Sequence, residues 1–126
     1  MSMLSKNFSD EEMSCRCCKT LPEQGISVAL LDGLEQLRER IGKPIHISCA
    51  YRCSKHNAEV GGVPDSQHID GTAADIYVDG MGVYELANIC KDIFDGIGEY
   101  YQQEFVHVDM RDGGESTGTY LWDDQE

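Results

Sequence analysis

The sequence predicts an α+β fold: a single small domain over residues 1–126, with an antiparallel sheet flanked by helices. Three observations carry this. A chain of 126 residues is long enough for one compact core and too short for two. Apolar residues recur at helical spacing in two stretches, 27–42 and 83–94. Between and after them lie four short strand-like runs, 45–49, 73–78, 96–101 and 105–110, the last two adjacent. Helices alternating unevenly with strands, two of them consecutive, point to α+β rather than a regular parallel α/β sheet.

Taken in order, Ser9-Asp10-Glu11-Glu12 has capping-box spacing and opens a short helix that ends near a cysteine cluster. Residues 22–25 form a turn. Ser27 then caps a helix with Val28, Leu30, Leu31, Leu34, Leu37 and Ile41 inward, and Gly42 followed by Lys43-Pro44 ends it. Residues 53–60 form one or two helical turns, stopped by Gly61-Gly62-Val63-Pro64, and 65–72 read as a loop. Val83, Leu86, Ala87, Ile89, Cys90, Ile93 and Phe94 mark the buried face of the second long helix. A hairpin through Gln102-Gln103 follows, and in the Gly-rich acidic tail only 120–122 has the side chains to pack. There is no internal repeat and no linker.

Ten basic residues against 23 acidic ones give a formal net charge of −13. Phosphate backbones are bound by clustered Lys and Arg, so nucleic acid is not an expected partner, and neither is an anionic membrane surface. No apolar run approaches the roughly 20 residues that span a bilayer, and the first twelve residues are polar and acidic, unlike an export signal. A cytoplasmic protein as synthesised, and a monomer, is the expectation. The six cysteines (15, 17, 18, 49, 53 and 90) are then expected as reduced thiols. Read as C-x-C-C with no Cys or His pair close behind, the 15–18 cluster favours buried or free thiols, with a second metal site as the alternative.

Chemistry concentrates at two of the four histidines. His68 opens H-I-D-G-T-A-A-D, which ends at Asp75; His107 lies in E-F-V-H-V-D, after Glu104 and before Asp109. A catalytic zinc takes three protein ligands from His and carboxylate and leaves a fourth position for water. His68, Asp75 and His107 supply that set, from a loop and two strands that can converge. Spacing alone leaves a surface or hydrogen-bonded role open for each. His46, between Ile45 and Ile47, reads as solvent-facing on a strand. His56 reads as exposed on a short helix, with a place beside Arg52 as the alternative. Trp122 reads as packing over the sheet, with stacking on substrate as the lesser alternative.

The strings S-C-A-Y-R (48–52), N-A-E-V-G-G (57–62), S-Q-H-I-D-G-T-A-A-D (66–75) and E-F-V-H-V-D (104–109) resemble, in order, the motifs of the M15 zinc peptidases. These are D-alanyl-D-alanine carboxypeptidases and dipeptidases, and the L-alanyl-D-glutamate endopeptidases of phage lysins. The motif core spans 48–109. The resemblance implies a hedgehog/D-Ala-D-Ala-peptidase-like domain holding one Zn2+ through His68, Asp75 and His107. Glu104 then matches the general base, and Arg52 the arginine that binds substrate and stabilises the transition state. Asp109 resembles a carboxylate that orients a ligand imidazole, and Ser66 a serine touching substrate or Asp75; an ordinary surface Asp and a loop-capping serine are the respective alternatives. Gly71 is expected to turn the loop into the Asp75 strand. In a regular strand, residues 104 and 107 point to opposite faces, so Glu104 reaches the metal only if the chain bends before the strand begins.

The implied activity is zinc-dependent hydrolysis of a peptide bond in peptidoglycan stem peptides, D-Ala-D-Ala or L-Ala-D-Glu. A phage or prophage lysin of this kind would act at the cell wall after release. The rival reading is a non-catalytic zinc-stabilised binding module of the same fold, as in hedgehog-like relatives, which needs neither Glu104 nor Arg52.

Overall fold

The computed structural model describes residues 2–62 and 66–123, so residues 63–65 of the predicted loop lie outside the described residues. Among the described residues, four helices and five strands run in the order α1 (Asp10–Met13), α2 (Val28–Ile41), β1 (His46–Cys49), α3 (Ser54–Glu59), β2 (Ala73–Tyr77), α4 (Val83–Cys90), β3 (Gly96–Tyr100), β4 (Phe105–Asp109) and β5 (Tyr120–Asp123). The local signals act as read. Ser9 and Glu12 form the reciprocal capping box of α1, and the Ser27 hydroxyl accepts the Leu30 N–H at the start of α2. Gly42 closes α2 in the left-handed region (φ 74°), its N–H donating to the Arg38 carbonyl.

Two expectations about the helices change. Val28 is exposed, not inward, because helical side chains tilt toward the N-terminus and this first one overhangs the core. The helix expected over 83–94 stops at Cys90, where the Ile93 and Phe94 N–H groups both donate to the Cys90 carbonyl; Ile93 and Phe94 are buried from that turn instead.

The sheet has the order β1-β2-β4-β3-β5. The first three neighbouring pairs are antiparallel, β3 and β4 forming the predicted hairpin, while β5 lies parallel to β3. The sheet is therefore mixed rather than wholly antiparallel. The reversal comes from the 110–119 loop, which returns the chain to the start of β3. The buried Asp95 carboxylate holds that loop by accepting the N–H groups of Asp112, Gly114 and Ser116 at 2.8–2.9 Å.

Strand alternation divides the sheet into two faces. Ala74, Ile76, Ile97, Val106 and Val108 join Leu30, Leu34 and Leu37 of α2, and Leu86, Ala87 and Cys90 of α4, in one apolar core. The opposite face carries Asp75, His107, Asp109, Gly96, Gly98 and Trp122, and the 50–72 segment lies beside it. Among the described residues no helix is long and apolar enough to cross a membrane.

Candidate active site

The register builds the site. Cys49 pairs with Asp75, Asp75 with His107, His107 with Gly98, and Gly98 with Trp122, giving one continuous row across all five strands. Residues 109, 73, 96 and 120 form the next row on the same face. His68 enters from the loop. Gly71 stands at φ 73° and lets that loop turn into β2, and the Ser66 hydroxyl accepts the His68 N–H at 3.2 Å.

His68, Asp75 and His107 meet at a single carboxylate oxygen. Asp75 Oδ1 lies 3.2 Å from His68 Nε2 and 3.1 Å from His107 Nδ1, and the rings meet edge to face at 5.1 Å. The outer nitrogens are fixed as well: His68 Nδ1 lies 2.6 Å from the Ala50 carbonyl oxygen, and His107 Nε2 2.8 Å from Asp109 Oδ2. Burial pushes both imidazoles toward neutrality, but their hydrogen bonds to carboxylates outweigh it and raise both above the ordinary histidine value. Burial likewise pushes Asp75 and Asp109 up, and the donors around them hold both well below the usual carboxylate range.

Two imidazole nitrogens and one carboxylate oxygen aimed at one point, each imidazole steadied from behind by an oxygen acceptor, match the donor set of a catalytic zinc. Cys49 also lies within 4.8 Å of His68 and Asp75. Its sulfur, however, faces His68 Nδ1 at 4.0 Å, the nitrogen already committed to Ala50, so it stands behind the imidazole.

Asp109 is fully buried, so it is not the surface Asp of the alternative reading, and it contacts His107 Nε2. It is locked in turn by Arg111, whose Nε and Nη2 donate to its two oxygens at 2.9 and 2.8 Å. Arg52 lines the cleft: its Nη2 lies 3.4 Å from the Ser66 hydroxyl, and its Nε is buried without a hydrogen-bond partner among the described residues. Ser66 thus orders the loop and meets Arg52, rather than meeting Asp75.

Glu104 is the residue the structure does not bring to the cluster. It occupies the turn before β4 at φ 62° and lines a separate cavity with Tyr77, Asp79, Val83 and Tyr101. The chain does bend there, but Glu104 is not among the residues that line the His68–Asp75–His107 cleft.

The cleft, about 540 Å³, contains more than the sequence reading found. Tyr100 and Phe105 stack at 4.6 Å, and Trp122 Nε1 donates to the Tyr100 hydroxyl at 2.9 Å with its ring 5.1 Å from His107. Arg111 lies over Tyr120 and Trp122, at 4.7 and 5.4 Å from the ring centroids. The signal that could have found this wall is the alternation G-I-G at 96–98. A Cβ on Gly96 would collide with the Asp109 carboxylate, and one on Gly98 would sit 2.6 Å from the Trp122 ring. Both strand positions are empty because functional side chains fill the space above them.

No curated protein matches the chain. The Peptidase M15 family model, however, matches residues 6–109, which takes in α1, the His68 loop, Asp75, His107 and Asp109. With that span, the chain belongs to the M15 family of peptidases, a family of zinc enzymes.

Proposed function

We propose that this chain hydrolyses a peptide bond in peptidoglycan stem peptides at the His68–Asp75–His107 cleft, with one zinc ion held by those three residues. The observation that carries the reading is the convergence of His68 Nε2 and His107 Nδ1 on Asp75 Oδ1 with both outer nitrogens anchored. Zinc bound there supplies a Lewis acid that polarises a carbonyl and brings the pKa of a bound water to about 7.

The chain's own residues do the rest. Asp109 and the Ala50 carbonyl keep the imidazoles aimed. Arg52, which lines the cleft, holds the substrate carbonyl and stabilises the negative charge that develops on its oxygen. The wall of Tyr100, Phe105 and Trp122 excludes water from one side and gives the stem peptide an apolar face to lie against. D-Ala-D-Ala and L-Ala-D-Glu are the two candidate bonds.

A second reading, a zinc-stabilised binding module, draws support from one observation: Glu104 stands outside the cleft. Mass spectrometry of peptidoglycan fragments after incubation with zinc-loaded protein separates the two, with Asp75→Asn as the control. New termini made by the wild type alone support the peptidase and name the bond. Intact fragments, with zinc bound, support the module. From its position, Glu104→Gln is expected to keep activity within about tenfold, less than the usual loss of a general base. A thousandfold loss would mean that the 101–104 turn re-forms to bring Glu104 into the cleft.

A further inference from the structure

The cysteines set apart by the sequence reading are gathered by the fold. We propose that Cys15, Cys18 and Cys53 form a structural zinc site separate from the cleft. The sulfurs of Cys15, Cys18 and Cys53 all lie within 4.8 Å of one another. Cys15 Sγ and Cys53 Sγ are 3.7 Å apart. That separation matches the edge of a tetrahedron with metal–sulfur bonds of about 2.3 Å, an edge of about 3.8 Å.

The backbone is shaped for the same purpose. The Cys15 N–H donates to the Thr20 carbonyl and the Lys19 N–H to the Cys15 carbonyl, both at 2.9 Å, closing a tight turn that puts Cys15 and Cys18 on one side. Lys19 sits in the left-handed region at φ 60°, an unfavourable place for a residue with a Cβ, which the turn imposes. Two N–H groups point at sulfur: Cys53 N–H at Cys15 Sγ (3.5 Å) and His56 N–H at Cys53 Sγ (3.4 Å). Donors of this kind orient metal thiolates.

The spacing agrees once both halves are seen together. Cys15-Arg16-Cys17-Cys18 contains a C-x2-C pair, and Cys53-Ser54-Lys55-His56 is a C-x2-H pair that the fold sets against it. His56 lies one helical turn from Cys53, but its imidazole is grouped within 4.8 Å with the Cys17 sulfur and a Glu59 oxygen, not with the three sulfurs. Three thiolates form a soft, sulfur-rich set suited to zinc; each thiol gives its proton to solvent on binding. The site would tie the N-terminal segment to the chain beside Arg52, where the Tyr51 N–H already donates to the Met13 carbonyl. It makes no use of the cleft metal and does not depend on the peptidase reading.

The test is metal content and cobalt(II) spectroscopy on full-length protein purified under reducing conditions. Wild type is expected to hold two zinc ions. Asp75→Asn, with every cysteine intact, is expected to hold one, and its cobalt form to show the near-ultraviolet thiolate-to-cobalt absorption. Adding Cys18→Ser or Cys53→Ser should release that ion and remove the band. The proposal is overturned if wild type holds a single zinc and Asp75→Asn shows no thiolate–cobalt band. A mass lower by two hydrogens, marking a Cys15–Cys53 disulfide in the reduced preparation, would overturn it equally.

Discussion

At the scale of the residue, the chemistry turns on protons that a metal would displace. Both ring nitrogens of His107 face carboxylates, and those of His68 face a carboxylate and a carbonyl, surroundings that favour the protonated ring and raise both pKa values. Zinc at Nε2 of His68 and Nδ1 of His107 takes the place of one proton on each. Binding should therefore release up to about two protons per ion, and affinity should fall by up to a hundredfold per pH unit below the raised histidine values. Calorimetry in two buffers of different ionisation enthalpy reads the proton count; no buffer dependence at pH 6 would show that the imidazoles bind metal from a neutral form. The residue scale also explains Gly98. Gly98→Val would drive the Trp122 ring off the cleft wall, and with it the Tyr100 hydrogen bond. Trp122 fluorescence should shift to longer wavelength and peptide cleavage should fall, while zinc stoichiometry holds. An unchanged emission spectrum would refute that account.

At the scale of the element, the N-terminal segment depends on one carboxylate. Glu35, on α2, accepts from the Ser5 hydroxyl at 2.5 Å, the Asn7 N–H at 2.7 Å and Asn7 Nδ2 at 2.6 Å. Partial burial pushes its pKa up, but these donors hold it below the ordinary value of 4.5. A depressed carboxylate adds stability above its unfolded pKa and loses it as pH falls through the folded value. The segment before α1 should therefore loosen below about pH 4.5, seen as faster hydrogen exchange at Leu4 and Ser5. Glu35→Gln should exchange fast at neutral pH already. If wild type and variant exchange alike at both pH values, the carboxylate does not hold the segment. Asp95 plays the parallel part at the other end of the chain, holding the loop that delivers β5 and thus Trp122.

At the scale of the whole molecule, stability without metal should peak on the acid side of neutrality. Asp75 and Asp109, depressed in the fold, contribute above about pH 4 and lose that contribution as pH falls through their folded values. His68 and His107, raised in the fold, contribute fully below about 6.5 and lose it as pH rises through theirs. Thermal melts of chelator-treated protein should fall from pH 6 to 8. Zinc should reverse that slope, since it stabilises by mass action and binds better as the imidazoles lose protons. A metal-free melting temperature that climbs from pH 6 to 8 would contradict this.

The same scales separate what the chain's order of residues determined from what folding decided. Helical period, capping box, Ser27 and Gly42 are local signals, satisfied within a few residues, and they placed α1 and α2 and the strand cores without any long-range knowledge. The clustering of His68, Asp75 and His107 was legible too, because the motifs that carry them are contiguous strings joined in a fixed order. What needed the tertiary structure is what register and crossing decide. The row from Cys49 to Trp122 exists only because five strands align, and β5 runs parallel only because Asp95 gathers a loop two strands further along the chain. Glu104 is three residues from His107 in the chain, yet at a left-handed turn position it lines a different cavity. Cys15 and Cys53 are separated by 38 positions and meet at 3.7 Å. Sequence spacing reports proximity only within an element; between elements, proximity is set by pairing and packing.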